Sequence, residues 1–274
     1  MTVIQTVTFG EAWSHLLESL YNEGTVLAPR GIYSRELTDV TLRFIDPYEN
    51  ILVNGIRRPS YRFMVAEWLW IWFGREDVAS ISKYNPHISQ FSNDGVSFDG
   101  AYGPMVRKQW LRVLHLLRKD SSTRQAVIQI YRPQSLESRD VPCTLSLQFL
   151  LRYGKLHTIA NMRSSDIWLG LPYDAFNFTM LANILAAQLG VELGPLTFHL
   201  GSSHLYEVNG EHARQVINDK VETIRSPQLP SVPPAGLEEV LTTRESKTFD
   251  RPWSMYNAVL VSPTNADALK ALVA

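Results

Sequence analysis

The chain has 274 residues, 45% of them hydrophobic, with 26 basic and 27 acidic side chains and a net charge of −1. That balance excludes a general electrostatic attraction to nucleic acid and leaves room only for a local basic pocket able to hold one phosphate. The most apolar run, residues 64–73, is too short to span a bilayer and contains Glu67; with one cysteine and no signal-like N-terminus, a reducing cytoplasm is the expected compartment.

Trp13, Leu16, Leu17 and Leu20 share one face of a 3.6-residue period and predict a helix over 9–22. A polar loop is expected over 23–37. The alternation in T-L-R-F-I-D-P predicts a strand that stops at Pro47, and residues 60–73 read as a buried helix. A mixed polar segment follows Gly74 and ends in the turn-rich D-G-A-Y-G-P, after which a helical period resumes over 105–118. A-V-I-Q-I-Y, from Ala126, reads as a buried strand, and a loop with Pro133 leads to V-P-C-T. L-S-L-Q-F-L-L-R-Y and L-H-T-I-A-N-M-R read as two strands joined at Gly154-Lys155, bringing Cys143 and Arg163 near strand ends. Asp174 is expected to open a long apolar helix that stops at Gly190. L-T-F-H-L reads as a strand before G-S-S-H-L-Y, and four prolines within 226–236 mark a surface connection. Strands and helices alternate throughout without internal repeats, which predicts a single α/β or α+β domain over 1–274.

Cys143 is the only cysteine. It can form no internal disulfide, and a thiolate there needs a cationic neighbour, for which Arg163 stands if the two strands pair. Arg163-Ser164 has the chemistry of an anion site: a planar guanidinium fork beside a hydroxyl. Glu67 lies among Trp68, Trp70 and Trp72, where burial would raise its pKa into a range useful for proton transfer; the alternative is an outward-facing carboxylate. Asp174 sits where a helix N-cap belongs, and capping is the simplest local reading. His204 and Tyr206 project from one side of an extended segment and suit a sugar hydroxyl. The seven histidines show no metal-ligand spacing, so no metal is expected.

Together these segments resemble thymidylate synthase over most of the chain. The match rests on Arg30, Glu67 with its aromatic helix, Tyr102 in A-Y-G, Pro142-Cys143, Gln148, R-S-S-D at 163–166, L-G-L-P-Y at 169–173 and H-L-Y at 204–206. The resemblance implies a large mixed sheet flanked by helices, with sheets packed back to back in a homodimer. It implies a pyrimidine nucleoside monophosphate as substrate and 5,10-methylenetetrahydrofolate as co-substrate. By position, Cys143 adds to carbon 6 of the pyrimidine, and Glu67, with Tyr102, serves proton transfer. Arg30, Arg163 and Ser164 hold the phosphate, His204 and Tyr206 the sugar, and Gln148 joins the substrate set. Asp166, with Trp70, Leu169 and Gly170, faces the folate. Arg124 reaches across the dimer, although Gln125 stands where the family usually carries a second arginine.

The main departure is Asp174, where thymidylate synthases carry asparagine. An amide accepts from uracil's ring N–H and donates to its carbonyl; cytosine presents an amino donor and a bare ring nitrogen, which suit a carboxyl group. A mispaired buried polar group costs about 1–3 kcal/mol, enough to reverse base choice, and within the family this replacement marks the deoxycytidylate hydroxymethylases. A second departure is the absence of tryptophan from 75–101, with Ile88 and Phe91 near the equivalent positions; a less shielded intermediate would be captured by water. The expected activity is therefore hydroxymethylation of a cytosine mononucleotide, dCMP before CMP. A dUMP-methylating synthase and a catalytically inactive nucleotide-binding dimer are the alternatives.

Overall fold

A computed structural model of the chain describes residues 1–134 and 137–274. The elements run β1 (Thr2–Thr6), α1 (Phe9–Glu23), β2 (Thr25–Leu27), β3 (Ser34–Phe44), β4 (Glu49–Val53), α2 (Tyr61–Trp72), α3 (Val78–Ile81) and α4 (Tyr102–Lys119). They continue with β5 (Val127–Gln129), β6 (Thr144–Arg152), β7 (Lys155–Met162), β8 (Ser165–Asp166), α5 (Leu171–Leu189), β9 (Glu192–Tyr206), α6 (Gly210–Ile217) and β10 (Glu222–Arg225). Helices α7 (Gly236–Thr243), α8 (Trp253–Val261) and α9 (Asn265–Val273) close the chain. The loop expected between Pro133 and Val141 includes residues 135 and 136, which lie outside the described residues.

The main sheet has the order β1-β3-β9-β7-β6-β5, with β2 beside β3 and β8 beside β9. It is mixed: β3–β9 and β7–β6 are antiparallel, while β1–β3 and β7–β9 are parallel. Along β6 and β7, Leu147, Phe149, Leu156 and Ala160 are buried, and the alternate positions Gln148, His157, Ile159 and Asn161 stay partly open on the opposite face, as a pleat of period two requires. Helix α5 is apolar nearly all round, and its residues from Ala175 to Ala186 are all buried, the signature of a central rather than a surface helix. Helix α2 packs along it. No helix among the described residues is long and apolar enough to cross a membrane.

Several sequence expectations shift. Residues 23–37 are not one loop. β2 pairs antiparallel with Ser34–Glu36 of β3 across a tight turn at Pro29–Gly31, where Arg30 and Gly31 both adopt positive φ. Residues 75–101 contain α3, capped by Asp77 whose side chain accepts from Ser80 N–H at 2.9 Å, and a 3-10 turn over Pro86–Phe91. Helix α4 begins at Tyr102 instead of 105, because Pro104 falls within its first turn, where no N–H is needed. Helix α5 begins at Leu171, with Gly170 at the N-cap and Pro172 in the first turn; Asp174 lies inside the helix and caps nothing. The proline-rich stretch is pinned to α5: Asn183 accepts from Leu229 N–H at 3.0 Å and donates to the Pro227 carbonyl at 2.9 Å.

Burial along β9 changes phase by one residue at Gly201. Leu196, Phe198 and Leu200 are buried before it, and Ser203 and Leu205 after it. Opposite Gly201 in the ladder stands Asp39, with φ 55°. This kink leaves Ser202, His204 and Tyr206 half-buried on the opposite phase.

Candidate active site

Register brings the two leading sequence candidates together. Thr144 pairs with Met162 at the end of the β6–β7 ladder, so the next residues outward meet: Arg163 N–H donates to the Cys143 carbonyl at 2.9 Å. The Arg163 guanidinium folds back over the same strand end. Its Nε donates to the Pro142 carbonyl and its Nη2 to the Val141 carbonyl, each at 2.9 Å, with Nη2 3.8 Å from the Cys143 Sγ. Burial nevertheless pushes the thiol pKa up; Arg163 opposes that shift, and Asp174, Asp140 and Asp166 add to it. The cation expected from the sequence is present but does not outweigh desolvation, so the resting side chain is a thiol.

Next to this pair, β8 sets Asp166 beside His204 of β9. Asp166 Oδ1 accepts from the N–H groups of Trp168 (2.9 Å) and Leu169 (2.8 Å). The Ser164 hydroxyl lies 3.4 Å from His204 Nδ1. His204 and Tyr206 contact edge to face, with centroids 5.2 Å apart. Burial raises the Asp166 pKa and lowers that of His204, each opposed by the charge of the other. Arg30 is exposed at the margin, near enough for its charge to act on His204. Leu169 is 52% exposed and follows Asp166 by three residues.

A third group closes the floor. The Tyr102 hydroxyl accepts from Thr144 N–H at 3.3 Å, and its ring stacks on Phe178. Burial holds this phenol protonated, as do the charges of Asp174 and Cys143. Glu67 faces inward: burial pushes its pKa up to about 7, and the only opposing contact is Asn177, whose amide donates to Glu67 Oε2 at 2.8 Å. Asp174 is raised well above the usual carboxylate range by burial, then by Glu67 and Asp166. Among the described residues its carboxylate accepts no hydrogen bond, although its oxygen lies beside the bare α-carbon of Gly170.

Not every sequence candidate joins this cluster. Gln148 lies five residues along β6 from Cys143, roughly 16 Å at strand rise, and its amide donates to the Arg124 carbonyl at 3.0 Å. Arg124 therefore lies beside the middle of β6, away from its own Cys143. Trp70 is turned away, with its N–H on the Asp77 carbonyl and its ring against Phe98. A surface concavity of about 530 Å³ opens at the other end of α5, beside Gly190 and Leu229, a helix length from Asp174. Two residues escaped sequence reasoning. Asn177 was legible as a second polar residue one turn beyond Asp174 in an otherwise apolar helix. Arg57, its guanidinium 5.7 Å from both the Trp168 and Tyr173 rings, left no local signal.

The family model described as thymidylate synthase matches residues 11–238. The chain belongs to the thymidylate synthase family, whose members transfer one-carbon units. It is similar to the deoxyuridylate hydroxymethyltransferase of Bacillus phage SP01, 34% identical over 216 residues that cover 72% of this chain and 56% of the relative. It is also similar to the thymidylate synthase of Bacillus mojavensis, at 29% identity over 183 residues, 62% of this chain and 63% of that one. The thymidylate synthase of Bacillus phage phi3T matches at 28% over the same lengths. The chain thus aligns with less than two thirds of the length of each of these three relatives.

Proposed function

We propose that the protein transfers a hydroxymethyl group to carbon 5 of a cytosine mononucleotide, with dCMP preferred, using methylenetetrahydrofolate as co-substrate. The observation that carries this reading is Asp174, a half-buried carboxyl that accepts no hydrogen bond among the described residues, in a cluster with Cys143, Arg163, Tyr102 and Glu67. A carboxyl retained as an acid offers its carbonyl to cytosine's amino group and its O–H to the ring nitrogen.

In this reading Arg163, Ser164 and Arg30 hold the phosphate, and His204 and Tyr206 the sugar hydroxyl. The Cys143 sulfur, after giving up its proton, adds to carbon 6 and leaves an electron pair on carbon 5. The folate supplies the one-carbon unit at the formaldehyde level. Glu67, poised near neutrality, serves proton transfer at the base. Carbon 5 bonds the one-carbon unit and then loses its proton as tetrahydrofolate departs; water adds to the exocyclic methylene so formed as the Cys143 thiolate leaves, giving the hydroxymethyl nucleotide and unoxidised tetrahydrofolate. Phe91, 48% exposed in the tryptophan-free segment, gives little shelter from that water. Asp166, whose second oxygen accepts no hydrogen bond among the described residues, and the exposed Leu169 suit a flat heterocycle with N–H donors. Arg124, remote from its own Cys143, reaches the partner's phosphate site in a homodimer packed through the open sheet face.

A second reading is hydroxymethylation of deoxyuridylate. The relative from phage SP01 carries that name, and a protonated Asp174 also presents one donor and one acceptor to uracil. Product analysis by mass spectrometry, with absorbance read for dihydrofolate, tests the reaction. A 5-hydroxymethyl nucleotide without dihydrofolate is expected. Dihydrofolate formed once per turnover would make the protein a methylating synthase.

A further inference from the structure

The Glu67–Asn177 contact assigns a proton. The charge of Glu67 on α2 acts on Asp174 of α5, three residues before Asn177 on the same helix, and no cation pairs with either carboxyl among the described residues. Asp166 also acts on Asp174, whose charge in turn reaches the Tyr102 phenol from α4 and Cys143, which has Arg163 beside it. Two carboxylates placed this way do not both ionise near neutrality. Asn177, 2% exposed, lies one turn beyond Asp174 on the same helix and directs its amide donor at Glu67 Oε2, 2.8 Å away. Its other amide atom, Oδ1, is buried without a partner. An amide N–H favours the ionised form of the carboxylate it meets, and Asp174 has no such donor.

We propose that Asn177 is a positioning residue that keeps Glu67 as the proton-accepting member of the Glu67–Asp174 pair and leaves the pair's shared proton on Asp174. The use of that proton in reading the base rests on the hydroxymethylase reading above; its location does not. With the proton on Asp174, Glu67 is free to take a proton during turnover, and a negative charge is withdrawn from the neighbourhood of Cys143.

Carboxyl-carbon NMR titration of protein labelled with 13C in Asp and Glu tests the assignment, with Glu67→Gln and Asp174→Asn identifying the two signals. In the wild-type protein Glu67 is expected to ionise at lower pH than Asp174. In Asn177→Leu, checked for folding by circular dichroism, the Glu67 midpoint is expected to rise by roughly one to two pH units, since a hydrogen bond to a charged group is lost. Asn177→Ser, which restores a donor, recovers part of the shift. A Glu67 that ionises after Asp174, or a midpoint unmoved in Asn177→Leu, would overturn the proposal. The wild-type order alone decides it if the leucine variant fails to fold. Absence of any cytidylate turnover together with the expected order would sink the hydroxymethylase reading and leave the proton assignment standing.

Discussion

Glu67 costs the fold stability at the pH where the site works. Its unfolded pKa is near 4.5 and its folded pKa about 7. Below pH 4.5 both states hold the proton and Glu67 contributes no penalty. Between the two values the unfolded chain releases its proton first, so stability falls as pH rises, and the penalty is complete above pH 7. At about 1.4 kcal/mol per pH unit of difference, the full cost is about 3 kcal/mol. Glu67→Gln is therefore expected to raise the thermal midpoint at pH 8 far more than at pH 4.5, while reducing turnover; a gain independent of pH would contradict an inward Glu67 with a raised pKa. Cys143 gives a sharper residue test. Cys143→Ser is expected to abolish turnover with nucleotide binding retained by calorimetry, and normal turnover would remove the sulfur from the chemistry. The residues that carry these expectations were legible in unequal degree. A cysteine, an arginine and an acid among tryptophans announce themselves by type, but the direction of the Cys143 shift depends on how much protein surrounds the thiol, which spacing does not encode.

At the scale of elements, the helix ends decide where the chemistry sits. The sequence reading started α5 at Asp174 because aspartate is a good cap; Gly170 and Pro172 make the turn instead, and Asp174 is drawn one turn inside. Helix α4 likewise begins early enough to point Tyr102 at the start of β6. In both helices a proline lies just inside the true start, in a first turn where it costs no hydrogen bond. The paired strands β6 and β7 were readable because their alternation is regular and their turn is marked by Gly154, with φ 72°. The segment 23–37 was not, because β2 is exposed throughout and has no buried face to alternate. Helix α1 steadies the site from outside. It begins with a capping box of Thr8 and Glu11, and its Trp13 N–H donates to the Ile167 carbonyl at 2.6 Å, one residue past Asp166. Trp13→Phe leaves that carbonyl without its partner and is expected to lower unfolding free energy by about 1–3 kcal/mol, measured by urea titration. It should also weaken folate binding more than nucleotide binding; equal weakening of both would mean α1 supports the fold but not the Asp166 segment.

For the whole molecule, the sheet explains the cluster and what the proposed dimer would add to it. Parallel β7–β9 and antiparallel β6–β7 set Cys143, Arg163 and His204 at neighbouring strand ends, while the helices cover only the core face. The opposite face, with Gln148, Ile159 and Asn161 partly open, is where a second copy would pack to bring in Arg124. Sedimentation is expected to give a dimer, and Ile159→Arg a monomer with turnover reduced roughly tenfold or more, the worth of one charged hydrogen bond to phosphate. An active monomer would exclude the shared site.

The central claim is that Asp174 chooses the base. The most direct measurement is tritium release from carbon 5 of dCMP and dUMP in the presence of methylenetetrahydrofolate, for the wild-type protein and for Asp174→Asn. Wild-type release mainly from dCMP, inverted toward dUMP by the substitution, is the expected result. Wild-type release mainly from dUMP, unchanged in preference by Asp174→Asn, would contradict it and leave Asp174 without a part in choosing the base.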